Sequence, residues 1–313
     1  MSEAPELFDP RVLFGAEVAA VAETDPRVVV VSADSGKSSG FGPFMKVHPD
    51  RYVEAGIEEQ GATGLAAGLA TAGFTPVFCA IAPFVTCRNY EQFRNDVGYM
   101  AQNVKIVGRN GGMTYSDLGP THHSLEDYAL TRMIPGVTVL APQDAGEIQG
   151  AVRAMLEFEG PVYMRIGASP VPKVFEPDSF VIGKGRHHRV GNDVTVITTG
   201  YESLEAITAA EVLAEHGVSV DLLCLGTVFP LDDGLILESV ARTGRVVTIE
   251  EHYETGGLGG AVCELLAQKL PVPVDVIGVP HHFVHTGPYK ELLASVGLDA
   301  ASLAARILRF VNR

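Results

Sequence analysis

The chain has no tryptophan, only four cysteines and few basic residues. Lys and Arg total 23 against 38 for Asp and Glu, which gives a formal charge of −15. Nucleic acids and anionic membranes bind basic faces, so this balance argues against both as partners. The cysteines form no CxxC pair and no zinc spacing. The sequence therefore predicts no metal ligands in this chain and a reducing, cytoplasmic location.

Long apolar runs are also missing. The first residues lack a basic region and an apolar core, so we expect no signal peptide, and no run is long enough to cross a bilayer. With 313 residues, 46% of them hydrophobic, the chain is long enough for two globular domains.

Apolar, β-branched runs alternate with helical patterns, which predicts an α/β protein with mainly parallel sheets covered by helices. In the first half, the predicted strands are Val28–Ser32, Pro76–Ile81, Val104–Gly108, Val137–Ala141 and Val162–Arg165. The predicted helices between them are Glu59–Thr71, Arg88–Ala101, Ser124–Met133 and Ala145–Glu157.

The pattern lapses around Pro170, Pro172 and Pro177, and then a second, smaller α/β unit begins. Prolines and lost periodicity are typical of a linker. The predicted organisation is a first domain over 1–172, a linker over 173–192 and a second domain over 193–313. The predicted strands of the second domain begin near Val194, Val220, Val246 and Val274.

A Gly-Lys-Ser sequence follows the first strand, but the Walker pattern requires a glycine where Val31 stands, which argues against an NTPase. Open α/β sheets bind ligands at the carboxyl ends of strands, so Asp34, Lys37 and Ser38 are candidates to line a pocket. A solvated turn rich in glycine and serine explains the same residues equally well.

Glu58 and Glu59 precede an apolar helix. Carboxylates near a helix start are favoured by about 0.3–1 kcal/mol, and a buried one is also a general acid or base candidate. Further on, Phe84, Arg88 and Tyr90 could stack a heterocycle and hold an anion, or form the core face of a helix.

A Gly-Pro-Thr-His-His loop contains His122 and His123, and the spacing of Ser124 and Asp127 predicts a helix cap. No third ligand at zinc spacing accompanies the histidines. Arg165 ends an apolar strand, a position that favours a ligand contact.

Taken in order, these motifs resemble the transketolase family, and more specifically its C-terminal half, which some organisms encode as a separate subunit. The resemblance rests on four motifs: Ser-Ala-Asp with Ser38, Gly-Ile-Glu-Glu-Gln at Gly56, Gly-Pro-Thr-His, and Ile-Glu-Glu-His near Glu250 with a following Gly-Gly-Leu-Gly. The resemblance implies a pyrimidine-binding domain followed by the transketolase C-terminal domain, with thiamin diphosphate as cofactor.

The resemblance also implies roles for individual residues. Its catalytic residues would be Glu59, on the cofactor's aminopyrimidine, and His122, on the substrate. Asp34, Phe84 and Tyr90 would line the cofactor site. The remaining matches imply substrate-phosphate contacts, and they are Ser38, Arg88 and Arg165.

Two departures from the family pattern have consequences. Leu118 stands where full-length transketolases usually carry a substrate-reading aspartate, so the donor preference is open. The Gly-Asp-Gly…Asn metal motif of the N-terminal half does not occur here. The resemblance therefore implies an N-terminal-half partner that holds Mg²⁺ and the diphosphate, in an α2β2 assembly acting on sugar phosphates.

Three functions fit this pattern. The first is the C-terminal subunit of a split transketolase, which transfers a two-carbon ketol unit from a ketose to an aldose. The second is the β subunit of a 2-oxo acid dehydrogenase or a subunit like deoxyxylulose-phosphate synthase. The third is a non-catalytic regulatory or scaffold subunit.

Overall fold

Two sheets organise the computed structural model, which describes residues 5–312. In chain order the strands are β1 Val28–Ser32, β2 Tyr52–Glu54, β3 Thr75–Ile81, β4 Lys105–Arg109, β5 Thr138–Leu140, β6 Val162–Arg165, β7 Arg186–Arg189, β8 Val194–Thr199, β9 Val220–Leu225, β10 Thr227–Phe229, β11 Val246–Tyr253 and β12 Val274–Val279. The first sheet has the order β10-β5-β6-β4-β3-β1-β2 and the second has the order β12-β11-β8-β9-β7.

Helices cover both faces of each sheet. The α-helices are α1 Pro10–Thr24, α2 Gly42–Val47, α3 Glu59–Thr71, α4 Tyr90–Gln92, α5 Asp127–Arg132, α6 Ala145–Glu157, α7 Glu202–Glu215, α8 Asp233–Thr243, α9 Leu258–Lys269, α10 Tyr289–Ser295 and α11 Ala300–Val311. All strand pairs are parallel except the edge pairs β10–β5 and β7–β9, so the prediction of mainly parallel, helix-covered sheets is confirmed.

Neighbouring residues of the central strands serve opposite faces of the first sheet. Val30 packs into a cluster with residues of α1 and α6, whereas Val31 packs into the cluster that contains Ala62 and Ala66 of α3. Successive side chains of a strand point to opposite faces, so a strand buried on both faces must be apolar throughout. The unbroken valine run of β1 has this origin.

The two halves of the chain are joined by more than a linker. Strand β10 follows three strands of the second sheet in the chain, yet it pairs with β5 at the edge of the first sheet. The segment predicted as a linker contains the short 3₁₀ helix Pro177–Ser179 and strand β7, which pairs with β9. Asp144 caps α6 and also accepts a hydrogen bond from the Phe175 amide at 2.6 Å, so the start of this segment is held to the first sheet.

Local differences from the sequence expectations have physical causes. The predicted helix Arg88–Ala101 is one α-turn, α4, that continues as π-helical backbone over Phe93–Tyr99. The predicted cap at Ser124 is wrong, because the Ser124 backbone pairs with Gly112 in an isolated bridge and α5 begins three residues later. Among residues 5–312, no helix is long and apolar enough to cross a membrane.

Candidate active site

Glu59 is the first residue of α3, at the edge of the first sheet where the parallel strands end. The preceding residue, Glu58, provides no side-chain cap, and the Glu59 side chain turns inward so that only 5% of the residue is exposed. Its Oε1 accepts a hydrogen bond of 2.8 Å from Arg88 Nη1. A buried carboxylate, paired with an arginine, therefore lies at the start of a helix, where the helix dipole also favours negative charge.

The arginine that pairs with Glu59 also stacks on an aromatic ring. The Arg88 guanidinium carbon lies 3.9 Å from the centroid of the Phe84 ring, and the Arg88 side chain is 43% exposed. Phe84 follows the end of β3, within a short 3₁₀ turn. The aromatic and the arginine, predicted to bind a heterocycle and an anion, are therefore in contact with each other, and the arginine contacts the candidate catalytic carboxylate.

His122 completes this cluster from a different loop. Its ring meets the Phe84 ring edge-on at a centroid distance of 5.3 Å and meets the Tyr115 ring at 5.5 Å. The Thr121 hydroxyl is 2.9 Å from His122 Nδ1. Partial burial and the Arg88 guanidinium lower the pKa of His122, which favours a neutral imidazole able to accept a proton.

His123 has a different environment from its neighbour. It is 5% exposed, and neither ring nitrogen finds a hydrogen-bond partner in the described part of the chain. Burial lowers the pKa of His123 as well. The two adjacent histidines therefore face different surroundings, and His122 is the one that reaches the Glu59 cluster.

The loop after β1 is joined to the start of α3 by Glu54, a residue that the sequence did not single out. Glu54 Oε1 accepts hydrogen bonds from the amides of Asp34 at 2.7 Å and Gly56 at 3.0 Å. Asp34 has a positive φ of 54°, which is uncommon for a residue other than glycine. It is exposed and lines an open cavity of about 400 Å³ with Lys37 and Ser38. The structure thus places Asp34 and Ser38 on one loop, which is tied through Glu54 to the segment before Glu59.

Tyr90 and Arg165, two other candidates, point into the protein. The Tyr90 hydroxyl donates to the Leu130 carbonyl at 3.1 Å, and its ring packs against the core of the first domain. This geometry supports anchoring of α5 by Tyr90.

Arg165 is buried at the contact between the two domains. Nη1 donates to Asp127 at 3.2 Å, and Nη2 donates to the Glu251 carbonyl at 2.7 Å. The guanidinium carbon lies 4.6 Å from the centroid of the Tyr128 ring. The arginine side chain is 6% exposed, and both terminal nitrogens are engaged within the protein. This arrangement does not support the predicted phosphate contact and favours a role in holding the domains together.

Asp127, Glu251 and Tyr289 come from three distant segments, so local sequence patterns could not show that they meet around this arginine. Glu251 receives hydrogen bonds from the Met113 amide at 2.6 Å and from the Tyr289 hydroxyl at 3.1 Å. Burial raises the pKa of Glu251, while the Arg165 charge opposes that rise.

The cluster fits a thiamin cofactor in its donor and acceptor chemistry. Glu59 Oε1 is taken by Arg88, whereas Oε2 makes no hydrogen bond within residues 5–312, so one carboxylate oxygen can meet a ring nitrogen. Phe84 is half-buried, with one ring face under Arg88. Across residues 5–312, no group of three or more His, Cys, Asp or Glu side chains is arranged to hold a metal ion.

Comparisons with known proteins agree with this organisation. Residues 8–172 match the family model for the transketolase pyrimidine binding domain, and residues 183–303 match the model for the transketolase C-terminal domain. One subunit of the apulose-4-phosphate transketolase of Phocaeicola vulgatus is 39% identical, with 94% of each chain covered. A 1-deoxy-D-xylulose-5-phosphate synthase of Syntrophotalea carbinolica is 37% identical, with 96% of this chain but only 48% of that protein covered.

A solved structure described as a split gene transketolase in an inactive β4 tetramer superimposes with a TM-score of 0.89. It is 36% identical in sequence, and the match covers 97% of this chain and 98% of that chain. The chain matches split subunits over nearly their whole length, whereas it matches only about half of the synthase. Both coverages indicate that the chain corresponds to half of a full-length enzyme of this family. The chain belongs to the transketolase family and corresponds to the half of it that split transketolases encode as a separate C-terminal subunit.

Proposed function

We propose that this protein is the C-terminal subunit of a split transketolase, which transfers a two-carbon ketol unit from a ketose phosphate to an aldose phosphate. The observation that carries the proposal is the contact cluster of Glu59, Arg88, Phe84 and His122, which unites three segments distant in sequence. The matched family models and the subunit from Phocaeicola vulgatus are both named for transketolases, which favours this function over that of a 2-oxo acid dehydrogenase subunit.

Each residue of the cluster has a chemical task in this proposal. Glu59, through Oε2, would hold the proton at the ring nitrogen of the cofactor's aminopyrimidine, with Arg88 fixing the carboxylate orientation. Phe84 would pack against that ring. When bound, thiamin diphosphate supplies the electron sink for cleavage of the ketose carbon–carbon bond. His122, whose pKa is lowered by burial and by Arg88, would accept a proton from a substrate hydroxyl.

The proposal includes a partner subunit. In this proposal Glu59 would contact the cofactor's pyrimidine and His122 would contact the substrate. We assign the ligands of Mg²⁺ and of the diphosphate to an N-terminal-half chain. A related split-gene chain is described as an inactive β4 tetramer, which supports a need for such a partner. We propose an α2β2 assembly in the cytoplasm, and the four unpaired thiols suit that reducing compartment.

Reconstitution tests the proposal. The chain would be mixed with an N-terminal split-transketolase subunit encoded in the same genome, thiamin diphosphate and Mg²⁺, and ketol transfer between sugar phosphates would be followed. We expect activity from the mixture and none from either chain alone.

The matched variants are Glu59→Gln and Glu58→Gln, which change adjacent carboxylates. Glu59→Gln should lower the turnover number by about 10²–10⁴-fold, the contribution of a positioned acid or base. Glu58→Gln should stay within a few-fold of the unmodified chain. If Glu58 is the essential carboxylate, the assignment of this helix start is wrong.

A further inference from the structure

The loop that carries His122 is attached to the second domain on both of its sides. Before the loop, the Ser116 carbonyl accepts a hydrogen bond of 3.1 Å from the Gly287 amide. After the loop, the Leu125 carbonyl accepts a hydrogen bond of 3.0 Å from the Tyr253 amide. The contact cluster contains no side chain of the second domain, yet this domain holds both ends of the loop that supplies one member of the cluster.

His252 makes a further attachment, inside the first turn of α5. Its Nε2 accepts a hydrogen bond from the Ala129 amide at 3.3 Å, and its Nδ1 lies 2.7 Å from the Tyr253 carbonyl oxygen. A carbonyl oxygen can only accept, so Nδ1 carries the proton and Nε2 is free to accept. The residue is fully buried, and its ring stacks on Tyr128 with a centroid distance of 5.5 Å and an interplanar angle of 6°. The imidazole is therefore held in one tautomer against α5.

These contacts replace a hydrogen bond that a longer helix would make. In an α-helix the Ala129 amide would donate to the carbonyl of Leu125, four residues earlier. Consecutive residues at the end of β11 bind these two groups instead. His252 accepts the hydrogen bond of Ala129, and the Tyr253 amide donates to the carbonyl. Helix α5 consequently begins three residues after Ser124, the start that the sequence predicts.

The start of α5 determines how much chain is left for the loop before it. His122 lies two residues before Ser124, so a helix that began at Ser124 would draw in the chain that now places the His122 ring 5.3 Å from the Phe84 ring. On the opposite side, a Cβ atom added to Gly119 would lie 2.7 Å from Thr286 Cγ2, so the loop already packs tightly on the second domain. The position of His122 therefore depends on contacts with the second domain.

We propose that His252 is a positioning residue for the proposed ketol transfer: by holding the Ala129 amide, it sets the start of α5 and thereby the place of the His122 ring beside Phe84. This inference rests on the proposed function for the part that His122 plays in the reaction. The link between His252 and the His122 loop does not depend on that function.

Two substitutions separate the hydrogen bond from the packing of the ring. His252→Phe keeps a ring that can stack on Tyr128 but has no acceptor for the Ala129 amide. His252→Gln has an amide oxygen that can accept from Ala129 but has no ring. A role of the hydrogen bond predicts a defect in the first variant only, whereas a role of packing predicts the reverse. Ile236→Ala is the control for lost stability, because Ile236 is a fully buried residue of α8 in the core against the second sheet.

The first experiment measures the pKa of His122 by NMR titration of the isolated chain. Partial burial and the Arg88 charge lower this pKa, so a ring that leaves its place should show a pKa closer to the ordinary value. We expect a rise in His252→Phe and no change in His252→Gln or Ile236→Ala. An unchanged pKa in a folded His252→Phe chain, or an equal rise in Ile236→Ala, would overturn the proposal. A rise in His252→Gln alone would assign a packing role and overturn it as well.

The second experiment uses the complex reconstituted with the N-terminal subunit. A reacting group that is misplaced by about 1 Å can cost up to about a hundredfold in rate. In His252→Phe, kcat should therefore fall by about ten- to a hundredfold, while the KM for thiamin diphosphate should not change. In His252→Gln and Ile236→Ala, kcat should stay within a few-fold of the unmodified complex. An unchanged kcat in His252→Phe, or an equal loss in Ile236→Ala, would contradict the positioning role.

Arg132→Met serves if His252→Phe does not fold. Arg132 is the last residue of α5, and it donates to the Gly256 carbonyl at 2.6 Å and to Glu264 at 2.6 and 3.0 Å. Its loss frees the other end of α5 from the second domain, so the pKa of His122 should rise again, and an unchanged pKa would overturn the proposal. If the complex transfers no ketol unit with any sugar, the proposed function fails, and the titration of the isolated chain still decides whether His252 positions the loop.

Discussion

Replacing Arg165 with leucine should destabilise the folded chain strongly rather than weaken sugar binding. Leucine retains most of the aliphatic packing but leaves Asp127 and Glu251 buried without their cation, with side chains 0% and 5% exposed. Removing one partner of a buried ion pair costs about 3–5 kcal/mol. At roughly 2–4 °C per kcal/mol for a domain of 150–250 residues, the thermal midpoint should fall by about 6–20 °C.

The stability lost in the Arg165→Leu variant should depend on pH in a defined direction. Burial raises the pKa of Glu251, and the Arg165 charge limits that rise, so the variant's Glu251 should bind its proton more tightly. A carboxyl whose pKa is higher in the folded state than in the unfolded state loses stability as pH rises above its unfolded pKa. The difference between Arg165→Leu and the unmodified chain should therefore be larger at pH 8 than at pH 5.

Urea unfolding of the isolated chain at both pH values provides the measurement. Arg27→Leu is the matched control, because it removes an arginine whose salt bridges lie at the surface, and it should change stability little. A normal midpoint for Arg165→Leu, together with a selective loss of phosphorylated sugars in the complex, would refute the structural role and restore the phosphate role.

Two further predictions concern titrating groups. Arg88→Met should raise the pKa of His122, because the guanidinium charge helps to lower it in the unmodified chain. An NMR titration of the isolated chain measures this pKa, and an unchanged value in the variant would contradict the prediction. Glu202 is fully buried with neither carboxylate oxygen hydrogen-bonded in the described part of the chain, and burial raises its pKa well above the usual range. Its contribution to stability should fall as pH rises above about 4.5, because the folded state then has to bury a charged carboxylate or keep a proton that the unfolded state has lost. Glu202→Gln should therefore raise the thermal midpoint at pH 8 and change it less near pH 4.5. An equal change at both pH values would contradict this reasoning.

The strands were the most predictable part of the fold, because their cause is local. A run such as Val28–Ser32 is apolar at nearly every position, which is required only where both faces of a strand are covered, and the structure contains it with the predicted bounds. Short elements escaped prediction for the opposite reason. Strand β10 has three residues and depends on its pairing with β5, so nothing in its own sequence identifies it.

The order and spacing of the motifs identified the residues of the candidate site, but not the contacts between them. The motif spacing singled out Glu59, Phe84, Arg88 and His122, and the structure brings these four together. It does so because each lies on a loop or helix start at the carboxyl edge of one parallel sheet, where separate loops converge.

The two buried arginines show what only the tertiary structure decides. Arg109 directly follows the predicted strand Val104–Gly108, and Arg165 ends the predicted strand Val162–Arg165, so the sequence places both at the ends of apolar runs. In the structure, each ends a strand of the first sheet. Arg165 receives Asp127 and Glu251 from distant segments, whereas Arg109 receives two serines and an asparagine. The sequence determines that a positive charge stands at each strand end. Whether carboxylates or neutral groups surround that charge depends on which side chains the folded chain brings within a few ångströms.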